Sequence, residues 1–106
     1  MYNKYHAKKT EIDGIEFDSK AEANRYCELK LLQKANKISD LKLQVPFELV
    51  PKQKGERAVK YIADFVYLEN GINIIEDCKG IKTPLYIVKR KLTKQLYPQY
   101  TFKESK

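Results

Sequence analysis

The stretch Tyr61-Ile62-Ala63-Asp64-Phe65-Val66-Tyr67-Leu68-Glu69-Asn70-Gly71-Ile72-Asn73-Ile74-Ile75-Glu76-Asp77-Cys78-Lys79 decides how this chain is read. Two β-prone runs, residues 59–68 and 72–79, flank Asn70-Gly71. That dipeptide is the strongest short-range signal for a two-residue hairpin turn. Side chains alternate between the faces of a strand. Ile62, Asp64, Val66 and Leu68 therefore share one face, and Asp64 interrupts an apolar row. Asn73, Ile75, Asp77 and Lys79 share a face of the second strand. The two-residue loop sets Glu69 opposite Ile72. Counting back along the ladder sets Asp64 opposite Asp77, with Cβ atoms about 5 Å apart. Lys79 falls on the same face, opposite Ile62. The pairing rests on the turn: another loop length, without a compensating bulge, spoils it.

Two carboxylates that close must share a proton, find cations or bind a metal. Hard divalent cations take oxygen ligands, and Mg²⁺ is commonly held by one or two carboxylates. A nearby ammonium orients water or steadies developing charge. Asp64, Asp77 and Lys79 thus meet the needs of metal-dependent phosphodiester hydrolysis. The plainer alternative is a structural Asp64–Lys79 ion pair, with Asp77 turned to solvent.

Working outward, Ser19-Lys20-Ala21-Glu22 has the form of a capping box and predicts a helix from Ser19 to about residue 35. Ala23, Tyr26, Cys27, Leu29, Leu31, Leu32 and Ala35 give it a wide apolar surface. Glu22 lies on that surface, as a further carboxylate at the site or as the second half of the capping box. Before this helix, Asp13-Gly14 predicts a small hairpin over residues 10–17. Residues 1–9, with Lys4, His6, Lys8 and Lys9, read as a basic arm, in which Tyr2 and Tyr5 are candidates for stacking on bases. Residues 40–50 read as a strand that Pro46 puts at an edge or a bulge. A second helix is predicted over 84–97, with Leu85, Val88, Leu92 and Leu96 as its inward stripe. Pro98 stops it, and Tyr100 and Phe102 alternate in a last strand. The order is helix, three strands, helix, strand. It predicts one small α/β domain over residues 1–106, a mixed sheet flanked by helices.

Composition narrows the function. The 106 residues carry 21 Lys and Arg against 14 Asp and Glu, a net charge of +7. So basic a short chain points to an anionic partner, most often nucleic acid. No apolar run reaches the length of a membrane span. The start lacks the apolar core of a secretory signal, which makes the cytoplasm the expected location. Cys27 and Cys78 do not make a disulfide framework or a zinc cluster, and one histidine excludes a multi-histidine metal site. Lys82, Lys89, Arg90, Lys91 and Lys94 cluster on or before the second helix, as a phosphate-contacting set or a solvated helix face.

Asp64, followed after a hairpin by Asp77-Cys78-Lys79, resembles the PD-(D/E)XK nuclease superfamily, the restriction-endonuclease-like fold. The chain is similar to a family of small phage and prophage proteins within it, over about residues 4–103. Phe17-Asp18-Ser19-Lys20-Ala21-Glu22, Tyr61-Ile62-Ala63-Asp64-Phe65 and Glu76-Asp77-Cys78-Lys79-Gly80 carry the likeness. The resemblance implies a metal-dependent endonuclease acting on DNA, with branched or junction DNA one candidate substrate. Asp64 and Asp77 would be metal ligands, Lys79 the catalytic lysine, and Glu22 the first-helix glutamate near the metal. The backbone carbonyl of Cys78 would complete a site for Mg²⁺, with Mn²⁺ as substitute. Lys89 and Lys91 would reach the phosphate backbone, and Lys8, Lys9, Lys82, Arg90 and Lys94 are further candidates. A phage or prophage origin in a bacterial host and a homodimer are also expected. Ala63 replaces the signature proline, and Asp77 takes the place usually held by Glu. Two rival readings remain: a non-catalytic nucleic-acid-binding module on the same fold, and a phage protein-interaction factor.

Overall fold

A computed structural model describes residues 9–78 and 80–105. Strands β1 (Thr10–Ile12) and β2 (Ile15–Phe17) form the predicted hairpin, with Asp13 and Gly14 both at positive φ. Helix α1 (Lys20–Lys34) follows. The Ser19 hydroxyl caps it by accepting the Glu22 N–H at 3.1 Å. Strands β3 (Ser39–Val50), β4 (Val59–Glu69) and β5 (Ile72–Cys78) then form an antiparallel meander. Helix α2 (Pro84–Leu96) crosses over, and β6 (Tyr100–Ser105) pairs with β5 in parallel. The sheet order is β3-β4-β5-β6, so the strand with Pro46 is an edge. No helix among the described residues is long and apolar enough to cross a membrane. The single α/β domain, the mixed sheet and the element order match the sequence expectation.

The sheet separates two cores. Phe17, Ala23, Tyr26, Leu29, Ile38, Phe65, Tyr67 and Ile74 pack beneath α1. Phe47, Leu49, Tyr61, Ala63, Val66, Ile75 and Tyr86 pack beneath α2. Simple alternation would keep Ala63 and Phe65 on one face, and likewise Leu43 and Val45. Instead Leu43 and Phe65 belong to the α1 core, while Val45 and Ala63 belong to the α2 core. Both strands shift their alternation by one at the opposed positions Gln44 and Asp64, although the pairs Leu43↔Phe65 and Val45↔Ala63 keep the same register. Gln44 carries the distortion, with φ of 53°, a left-handed conformation that L-residues adopt at a cost.

The second helix differs from expectation in its rotation. Tyr86 and Thr93 face the sheet, while Leu85, Val88 and Leu96 of the predicted inward stripe are exposed and only Leu92 packs against the core. The Tyr86 hydroxyl donates to Glu104 on β6, and Arg90 pairs with the same carboxylate at 3.1 Å. These contacts turn the aromatic side of α2 inward. Leu31 of α1 is likewise exposed.

Candidate functional site

The hairpin register is as the Asn70-Gly71 turn dictates. Cα pairs run from Glu69↔Ile72 to Phe65↔Glu76. They stop one step short of Asp64 and Asp77, where β4 shifts its alternation. The ladder pairing therefore does not itself extend to Asp64 and Asp77, whose contacts are set by side chains. Asp64 accepts the Cys78 N–H at 2.9 Å and the Gln44 amide at 3.5 Å. The same Gln44 amide donates to Glu22 at 3.3 Å. Asp77 is buried and accepts the Tyr61 hydroxyl at 2.7 Å. Both acids bear on Tyr61. Burial first, then the Asp77 hydrogen bond and the charges of Asp77 and Asp64, push its hydroxyl far above the usual range.

Glu22 is thus brought to Asp64 from α1, as the sequence allowed. Its carboxylate does not close a box on the Ser19 N–H; it faces Asp64 and lies near the Asp18 backbone. Burial, then the charges of Asp64 and Asp18, raise its pKa to about 7. A raised carboxyl pKa stabilises the fold fully below the ordinary value of 4.5, and that contribution is lost as pH rises through about 7. Glu22→Gln, which cannot ionise, is accordingly expected to raise stability at pH 8 by on the order of 1–2 kcal/mol and to change it little at pH 5, as thermal unfolding at the two pH values will show.

Gln44 is the site residue that sequence reasoning missed. It occupies an ordinary place in an alternating strand, and nothing in the residue type announces a left-handed backbone. Its conformation aims one amide at two acids. Gln44→Gly relieves the backbone cost and Gln44→Ala keeps it, while both lose the amide. The alanine variant is expected to be less stable than the glycine variant by about 1 kcal/mol in urea unfolding.

Glu76 stands apart from the site. It is buried on the α1 side and held by Arg25, Tyr67 and Ser105. Cys78 contributes its N–H to Asp64, and burial pushes its thiol up. Lys79, the expected catalytic lysine, and Lys8 lie outside the described residues. Lys9 pairs with Glu16 at 3.8 Å. Lys82 and Arg90 both pair with Glu104, and Lys94 lies over the Phe102 ring. Lys89 and Lys91 have no carboxylate within ion-pair distance among the described residues. All the α2 cations sit on the helix that covers the opposite sheet face from α1, which carries Glu22. The basic cluster and the carboxylate pair are separate features.

Oxygen donors are therefore available to a hard cation at Glu22 and Asp64, where like charges already crowd one another. Among the described residues, no three His, Cys, Asp or Glu side chains form a group able to hold a metal ion. No curated protein and no solved structure matches the chain. A family model described as "Protein of unknown function (DUF1064)" matches residues 2–105, and the chain belongs to that family.

Proposed function

We propose that the protein is a metal-dependent endonuclease that hydrolyses DNA phosphodiesters on a restriction-endonuclease-like core. One observation carries the reading: two carboxylates from different elements, Glu22 and Asp64, face each other under a shared Gln44 amide. Such a pair fits a divalent cation because positive charge offsets the burial and the repulsion that now raise Glu22. Glu22 and Asp64 would hold Mg²⁺ or Mn²⁺, with Asp77 and the Cys78 carbonyl as the further ligands the resemblance implies. When bound, the ion polarises a phosphate oxygen and lowers the pKa of water. The chain supplies the rest. Tyr61 fixes the Asp77 carboxylate by donating to it, and the Cys78 N–H fixes Asp64. Lys79 orients the attacking water or steadies the charge on the departing oxygen. Net positive charge gathers the DNA, so binding weakens steeply with salt.

The test is a cleavage panel of supercoiled, linear, single-stranded, flapped and four-way-junction DNA, with Mg²⁺, Mn²⁺ or EDTA. Metal-dependent cleavage that is strongest on branched forms is the expected result. The absence of a three-acid group among the described residues favours one second reading, a non-catalytic nucleic-acid-binding module. No cleavage, with salt-sensitive binding kept by Asp64→Asn and Lys79→Ala, would decide for it.

A further inference from the structure

Most of the predicted inward stripe of α2 is left uncovered by the fold. Leu85 is 63% exposed, Val88 53% and Leu96 48%, and Ile81 just before the helix is 81% exposed. In heptad terms Leu85 stands at a, Val88 at d, Lys89 at e and Lys91 at g, while Leu92 at the next a packs against the α2 core. The exposed apolar residues thus have a basic residue on each flank. The helix contains Lys89, Arg90, Lys91 and Lys94 and no acid. Glu104 already answers Arg90, whereas Lys89 and Lys91 have no carboxylate within ion-pair distance among the described residues.

The flanks select the occupant. A second copy in antiparallel pairing would set Lys89 near Lys89 and Lys91 near Lys91, and no acid on either α2 would offset the repulsion. Strand addition at the β3 edge is blunted, because β3 carries Pro46 and the left-handed Gln44. Phosphates answer the lysines but leave the leucines uncovered. A helix with apolar a and d residues and Glu at e and g satisfies both features at once. We infer that the exposed face of α2 is a docking surface for an acidic amphipathic helix of a partner protein. The surface is independent of the nuclease reading, since it lies on the other side of the sheet from Glu22.

The test uses the full chain and a synthetic peptide of about three heptads, with Leu at a and d and Glu at e and g. A second peptide replaces every Glu by Lys. Fluorescence anisotropy is expected to show binding of the Glu peptide and at least about tenfold weaker binding of the Lys peptide. Leu85→Glu/Val88→Glu alters only exposed positions, and circular dichroism will verify its fold. It is expected to abolish binding, whereas Leu31→Glu on α1 keeps it. Lys89→Glu/Lys91→Glu is expected to reverse the preference between peptides. Equal affinity for both peptides, or binding by neither, overturns the inference. So does a dimer in sedimentation equilibrium that Leu85→Glu/Val88→Glu dissociates, because the seam then belongs to a second copy. Cleavage of DNA is unaffected by Leu85→Glu/Val88→Glu if both readings hold, so failure of one does not mimic failure of the other.

Discussion

Asp64→Asn and Lys79→Ala are each expected to lower the rate of DNA cleavage by at least about 10³-fold under saturating Mg²⁺. A thousandfold corresponds to roughly 4 kcal/mol of transition-state stabilisation, the scale on which one directly acting electrostatic group operates. Asp64 carries the larger structural commitment. It faces Glu22, Gln44 and the Cys78 N–H together. The asparagine isostere keeps its size and one carbonyl oxygen, so a folding defect is not expected. Unchanged melting with lost cleavage assigns the residue to chemistry. Unchanged cleavage in either variant removes the nuclease reading of this site. Asp77→Asn is a less clean probe, because Asp77 is buried and its partner Tyr61 is packed in the α2 core.

Arg25→Ala is the substitution expected to damage the fold most through a single charge. The Glu76 side chain is 0% exposed, and the Arg25 guanidinium meets it with two hydrogen bonds. Removing the cation strands a carboxylate in the core, which costs about 3–5 kcal/mol. In a domain of this size that lowers Tm by more than about 10 °C. Tyr67 and Ser105 still donate to Glu76, so a second change, Glu76→Gln, is expected to recover part of the loss. The pH dependence has a definite sign. Burial raises the Glu76 carboxyl, but the hydrogen bonds from Arg25, Tyr67 and Ser105 outweigh it and leave the pKa lowered. A lowered carboxylate contributes stability above its ordinary value of 4.5 and loses it as the pH falls through the folded value. Wild type should therefore weaken on acidification below about pH 4.5. In Arg25→Ala the stranded carboxylate gains from a proton, so the deficit against wild type should shrink as the pH falls. A deficit that is constant from pH 7 to pH 4 would show that lost packing of the arginine stem, not the buried charge, sets the cost.

Local chemistry made much of the architecture legible. Asn70-Gly71 has few alternatives to a two-residue turn, and it set the register of β4 against β5. Asp13-Gly14 did the same for β1 and β2, and Ser19 marked the start of α1. Pro46 cannot donate to a ladder, and its strand is indeed the edge. Periodicity was less informative where two faces of one helix compete. Leu85, Val88, Leu92 and Leu96 form a valid stripe, but Tyr86 buries a ring and finds Glu104, so the helix is turned about its axis.

The same division runs through the candidate site. Sequence by itself determined a basic α/β chain, the order of its elements, the hairpin register and the presence of acids at positions 22, 64 and 77. Each of these depends on neighbours in the chain, on turn chemistry or on composition. Only the tertiary structure decided which acids meet. A left-handed Gln44 on one strand shifts the alternation of two strands together, draws Asp64 toward Glu22 on a helix more than forty residues away in sequence, and leaves Asp77 with Tyr61. A strict period of two cannot carry such a shift, because it arises from the fit of β3 against β4 and α1 and not from the residues of the hairpin itself.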